Sequence, residues 1–146
     1  MAQIVAQNVS GKTFALCMKG IEVTTLRRLS EIAEEAVGDC NDVAVWLGPG
    51  HVQEFVNGVP NCMVIDSRSE AVKERLIAWL SGGLIRFYYG TDLIGNEIGA
   101  ASKNVIGIAA GMLDGLGRTS LKGALMARGA REISRLIKAM GGNEMT

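Results

Sequence analysis

The fold turns on residues 84–117, Leu84-Ile-Arg-Phe-Tyr-Tyr-Gly90-Thr-Asp-Leu-Ile-Gly95-Asn-Glu-Ile-Gly99-Ala-Ala-Ser-Lys103-Asn104-Val-Ile-Gly107-Ile-Ala-Ala-Gly111-Met-Leu-Asp-Gly115-Leu-Gly117. Residues 84–89 form a short apolar and aromatic run bounded by glycines, which reads as a strand. Past Gly90 the spacing changes. Glycines recur at every fourth position, with Lys103 filling the one gap in the row, and residues 92–116 read as one long helix.

Toward the N-terminus the order is strand and helix in alternation. Residues 13–18, 43–47 and 62–66 are short apolar runs that read as buried strands. Between them, residues 24–37 carry helical periodicity stopped by Gly38, and a short helix is expected over 52–57. Ser67 to Ser69 offer N-caps for a helix over 70–81, ended by Gly82-Gly83. This alternation is the α/β signature. Toward the C-terminus, Gly117-Arg-Thr119 makes a turn and residues 120–140 read as a second long helix. Its expected apolar positions include Leu121, Leu125, Ile133, Leu136 and Ile137. A boundary is therefore expected near Gly90, with an α/β part over 1–90 and an all-helical part over 91–146.

Lys103 is the only charge between Glu97 and Asp114, among small apolar residues. Each glycine in a helix interior costs about 0.5–1 kcal/mol relative to alanine. Close approach by a backbone or a ligand is the usual compensation. A partly desolvated lysine beside the amide of Asn104 suits general acid/base work on a small polar substrate. A packed helix whose lysine escapes to water along its stem fits the same spacing. The uncharged run from Asn104 to Leu113 is ten residues, against about 20 for a membrane span.

The formal net charge is zero, so no electrostatic case exists for nucleic acid. Residues 1–9 lack a basic region followed by a long apolar one, and no secretory leader is expected. Cys17, Cys40 and Cys62 form no Cys-x-x-Cys pair, and the single His51 supplies no metal spacing. A reduced cytoplasmic setting fits these cysteines. Ligands of open α/β sheets gather at the carboxyl ends of strands, where Lys19-Gly20 and Gly48-Pro49-Gly50 are expected. A lysine and a glycine-lined loop there suit a phosphate or a dinucleotide. His51 reads as a helix-start residue.

Three groups of residues together resemble the bacterial NAD(P)-dependent glycerol-3-phosphate dehydrogenase family, over roughly residues 9–146. They are Lys19-Gly-Ile21, Gly48-Pro-Gly-His-Val52 with Glu54, and Phe87-Tyr-Tyr-Gly-Thr-Asp-Leu-Ile-Gly-Asn-Glu97 continuing into Lys103-Asn-Val-Ile-Gly-Ile-Ala-Ala-Gly-Met-Leu-Asp-Gly-Leu-Gly117. The resemblance implies a partial Rossmann-like, doubly wound domain followed by the start of a helical substrate domain. It implies interconversion of sn-glycerol 3-phosphate and dihydroxyacetone phosphate with NAD or NADP, in phospholipid synthesis, by a cytoplasmic homodimer.

Lys103 would be the catalytic proton acceptor and a substrate contact, with Asn104 positioning it. Lys19 would touch both substrate and cofactor. Gly48 and Gly50 would line the substrate, and Val52 the cofactor. Gly50 stands where the family has serine, and Val52 where it has alanine. The family's Gly-x-Gly-x-x-Gly loop and its Ser-Arg-Asn motif have no counterpart in these residues. An internal fragment, truncated at both ends and with little or no turnover of its own, is the resulting expectation. Two alternatives stand beside it: a related β-hydroxyacid dehydrogenase, and a non-catalytic, self-associating binding module.

Overall fold

Strand β2 (Asp42–Leu47) shows how the core is sorted. Successive side chains of a strand point to opposite faces. Val43 packs with Phe14, Leu16, Ala33 and Val37 on one face. Ala44 and Trp46 turn to the other, where they meet Ile65, Val72, Leu76, Ile77 and Phe87. The sheet is therefore covered on both faces, which is why every residue of β2 after Asp42 is apolar.

The computed structural model describes residues 9–146; positions 1–8, most of the stretch read above for a leader, lie outside them. Around β2 the order is β1 (Thr13–Leu16), α1 (Leu29–Val37), β2, α2 (Val52–Val56), β3 (Asn61–Asp66), α3 (Glu70–Leu80) and β4 (Ile85–Tyr89). Two long helices follow, α4 (Leu93–Gly115) and α5 (Thr119–Ala139). The strands lie in the order β1-β2-β3-β4. Helix α1 covers one face and α3 the other. The fold is α/β with a helical C-terminal part, as expected.

The sheet is not uniformly parallel. β1 pairs with β2 in parallel and β3 with β4 in parallel, but β2 and β3 run antiparallel. The cause is the connection between them. Helix α2 has five residues and rises about 7.5 Å, far short of the ~20 Å needed to recross the sheet beside a six-residue strand. The chain thus re-enters from the end it left. Consequently β1 and β2 present their carboxyl ends at one end of the sheet, and β3 and β4 at the other.

Helix α1 starts at Leu29 rather than at residue 24. Glu22 accepts hydrogen bonds from Thr24 N, Thr25 N and Thr25 Oγ1, and this local turn competes with the first helical turn. Those bonds hold the Glu22 carboxyl down at about 2. Leu26 then takes φ +57°, a left-handed conformation no helix can continue through. Arg28, in extended conformation, becomes the cap, and the Glu31 carboxylate accepts from its N–H at 2.9 Å. The Ser69 cap of α3 is present as expected, Oγ accepting from Val72 N.

The glycine row of α4 divides. An added Cβ at Gly95 would overlap Asp92 and lie 2.7 Å from Thr146, and one at Gly99 would meet only Ile137, at 3.9 Å. At Gly107, Gly111 and Gly115 it would meet nothing within 4 Å. The tight crossing of α4 and α5 uses Gly129 instead, where a Cβ would come 2.6 Å from Ile106. Of the apolar positions expected to pack in α5, Ile137 is buried, while Leu121 and Leu136 are exposed. No helix among the described residues is long and apolar enough to cross a membrane.

Candidate active site

Lys19 follows β1 by three residues, and Gly48 follows β2 directly. Because these two strands are parallel neighbours, their ends open side by side. Lys19 Nζ donates to Gly48 O at 3.1 Å. A side chain at Gly48 would drive into Met63, 2.7 Å from its Cγ, and come 3.2 Å from Cys62 O, so the loop lies flat on β3 only as glycine. Gly48 and Gly50, with Cys17, Lys19, Trp46 and Met63, line a hollow of about 300 Å³.

Helix α4 brings the second lysine. It starts beside the far end of the sheet, where Asn96 Nδ2 donates to Asp66 at 2.7 Å. It then runs back over the sheet, and by Lys103 it has reached the Lys19 end. The two lysine side chains approach each other there. Partial burial and the nearby charge of Lys103 together lower the pKa of Lys19 below the ordinary lysine value. Lys103 is exposed at this end and also borders a hollow of about 290 Å³ between α4 and α5, lined by Ile106, Gly107, Met126 and Ile133 among others.

The remaining sequence-derived candidates are placed less centrally. Asn104 is exposed, one residue along α4, and its side chain makes no hydrogen bond among the described residues. Val52 is exposed at the start of α2, outside the lining of the 300 Å³ hollow. His51 is the residue preceding α2, with no capping bond from its side chain.

Two apposed ammonium groups, one with a lowered pKa, above a floor of glycine backbone make a site for a small anion with a proton to exchange. The lowered value also has a consequence for stability. Below its folded pKa, Lys19 is charged in both folded and unfolded states, and the fold bears the cost of that charge. Between the folded pKa and the unfolded 10.5 the unfolded chain holds more protons, so this contribution makes stability rise with pH through that window. We expect Lys103→Gln to raise the Lys19 pKa toward its ordinary value, as read by NMR titration of the lysine ε-carbons. An unchanged Lys19 titration would mean that the two groups do not meet.

The family assignment rests on matches at both ends of the chain. Residues 1–73 match the N-terminal model described as NAD-dependent glycerol-3-phosphate dehydrogenase N-terminus, and residues 92–146 match the corresponding C-terminus. The chain belongs to the NAD-dependent glycerol-3-phosphate dehydrogenase family. It is 41% identical over 138 residues to a glycerol-3-phosphate dehydrogenase [NAD(P)+] of Agrobacterium fabrum, a match covering 94% of this chain and 42% of the relative. A Clostridium botulinum protein of the same name is 42% identical over 88% of this chain and 38% of its own length. The crystal structure of glycerol-3-phosphate dehydrogenase from Coxiella burnetii superposes with a TM-score of 0.82 at 31% identity, covering 90% of this chain and 40% of that one. The chain thus spans about two-fifths of the length of the glycerol-3-phosphate dehydrogenases it matches.

Sequence reasoning missed two buried polar clusters that set the course of α4 in this member of the dehydrogenase family. In one, Lys73 Nζ donates to Gly90 O at 2.7 Å and pairs with Glu70 at 2.6 Å and Asp66 at 3.8 Å. In the other, Glu97 pairs with Arg28 at 2.6 Å. The available signal was the lone charge on an otherwise apolar helix face: Lys73 between Val72 and Leu76, Glu97 beside Ile98.

Proposed function

We propose that this chain contributes the proton-transferring part of an oxidoreductase that interconverts sn-glycerol 3-phosphate and dihydroxyacetone phosphate with NAD or NADP. The observation that supports it best is the meeting of Lys19 and Lys103 across 84 positions of sequence, beside the Gly48 loop. A three-carbon phosphate is small, anionic and carries one exchangeable hydroxyl proton. The cationic pair and the glycine floor fit the reacting end of such a substrate and of the cofactor beside it.

The nicotinamide, when bound, supplies or accepts the hydride at C2. Lys103 Nζ, as the neutral amine, accepts the C2 hydroxyl proton in oxidation and, as the resulting ammonium, returns it to the carbonyl oxygen in reduction. Lys19, held by Gly48 O, offsets the negative charge on that oxygen and orients it. Asn104 helps position Lys103. Gly48 and Gly50 line the substrate side, and Val52 the cofactor side. Residues 1–90 act as the second part of the nucleotide-binding domain and residues 91–146 as the first helices of the substrate domain. We infer a cytoplasmic homodimer serving glycerophospholipid synthesis; three free, exposed cysteines support a reducing compartment.

Hydride transfer requires both reactants held in near-attack geometry. With about two-fifths of its relatives' length, the 146-residue chain is expected to give little or no turnover by itself. The decisive assay transplants residues 9–146 into the Agrobacterium fabrum relative in place of the matching segment. The hybrid should oxidise NADH or NADPH with dihydroxyacetone phosphate and ignore β-hydroxyacid dehydrogenase substrates. A folded hybrid that prefers a β-hydroxyacid pair would replace this reading with the related one.

A further inference from the structure

Glu97 is buried, and it is bound on every side that the structure describes. Its Oε1 accepts from Ser30 N at 2.9 Å, and its Oε2 accepts from Ser30 Oγ at 2.6 Å and from Arg28 Nη1 at 2.6 Å. Arg28, Ser30 and Glu97 are all less than one-tenth exposed. The partners lie 67 and 69 residues away in sequence, at the start of α1.

The two sides of this cluster lead to the two lysines. On one side, Arg28 pairs with Ile21 in an isolated antiparallel bridge, and Glu22 N donates to Arg27 O at 2.9 Å. Ile21 is two residues from Lys19. On the other side, Glu97 lies on α4 six residues before Lys103, about 9 Å along the helix. A closed circuit therefore runs from Lys19 through Ile21, Arg28 and Glu97 to Lys103 and back to Lys19.

We propose that Glu97 is a positioning residue: its buried ion pair with Arg28 and its bonds to Ser30 lock α4 against the loop after β1, and this sets Lys103 against Lys19. The proposal rests on the reading of the two lysines as one site. It assigns Glu97 no contact with substrate. A helix bearing a catalytic group tolerates little sliding, and here the only buried ionic tie between α4 and that loop, among the described residues, is six residues from the group it must place.

The test uses the 146-residue chain and the NMR titration of the lysine ε-carbons. Glu97→Gln keeps the shape and removes the charge. It should raise the Lys19 pKa in the same direction as Lys103→Gln and by a comparable amount, because Lys103 withdraws. Introduced on top of Lys103→Gln, it should move Lys19 no further. If Glu97→Gln does not fold, Ser30→Ala removes the two hydroxyl bonds, to Glu97 and from Arg28, spares the ion pair, and should give a smaller rise of the same sign. A folded Glu97→Gln or Ser30→Ala chain with the wild-type Lys19 titration overturns the proposal, provided that Lys103→Gln does raise Lys19. If Lys103→Gln itself leaves Lys19 unmoved, the paired site fails and the positioning role falls with it.

Discussion

Lys103→Ala in the hybrid enzyme should lower kcat for dihydroxyacetone phosphate reduction by about 10²–10⁴-fold, the range of a positioned general acid or base. The fold should survive, because Lys103 is exposed and ties no element to another. Loss should appear in kcat and in kcat/KM together, as the proposed role of moving the proton in transit, more than holding the phosphate, requires. Lys103→Arg should not rescue it. A guanidinium remains charged at all working pH values and cannot give up and regain a proton. Steady-state kinetics over a range of pH checks this, and a Lys103→Ala hybrid of near wild-type kcat would remove Lys103 from the chemistry.

The second large effect is on stability. Lys73→Met should destabilise the chain by about 3–5 kcal/mol, the usual cost of removing one partner from a buried charged pair. Lys73 and Asp66 are 3% and 2% exposed, so water cannot take over for either. Lys73 also holds Gly90 O, where the chain passes from the sheet to α4. An added side chain at Gly90 would overlap Asp66, which shows how closely the segment is drawn in.

Burial already pushes the Asp66 pKa up, against the bonds from Asn96 and Ser67 and the charge of Lys73. Losing Lys73 pushes it higher. A carboxyl whose folded pKa exceeds its unfolded value favours the folded state at low pH, and that contribution is lost as pH rises through the folded pKa. The deficit of Lys73→Met should therefore be largest at neutral pH and shrink in mild acid. Adding Asp66→Asn, which keeps an acceptor for Asn96 without the charge, should restore part of it. Urea unfolding at two pH values reads all of this.

What the sequence made legible was periodic or local. The four strands, the Ser69 cap and the long helix α4 could be read because apolar spacing and cap residues act within a few positions. The start of α1 differs because the Glu22 carboxylate takes the N–H groups of Thr24 and Thr25 into a turn, out of backbone that would otherwise be helical. The antiparallel return of β3 was missed because alternation of strand and helix says nothing about direction. Only the length of α2 carries that information. Lys19, Gly48 and Lys103 each stood out singly, and the family resemblance joined them in role. Their meeting in space depends on two buried clusters whose long-range bonds span 17, 30 and 69 residues, which no local pattern encodes. The glycine row was legible as unusual, but its meaning was only partly packing: the part beyond Lys103 faces open space.

The central claim is that Lys19 and Lys103 work as one unit. A double-mutant cycle on kcat/KM in the hybrid, with Lys19→Ala, Lys103→Ala and both together, tests it most directly. Residues acting as a unit give losses far from additive. The double variant should be little worse than Lys103→Ala alone. Losses that simply multiply, as for distant independent sites, would contradict the account.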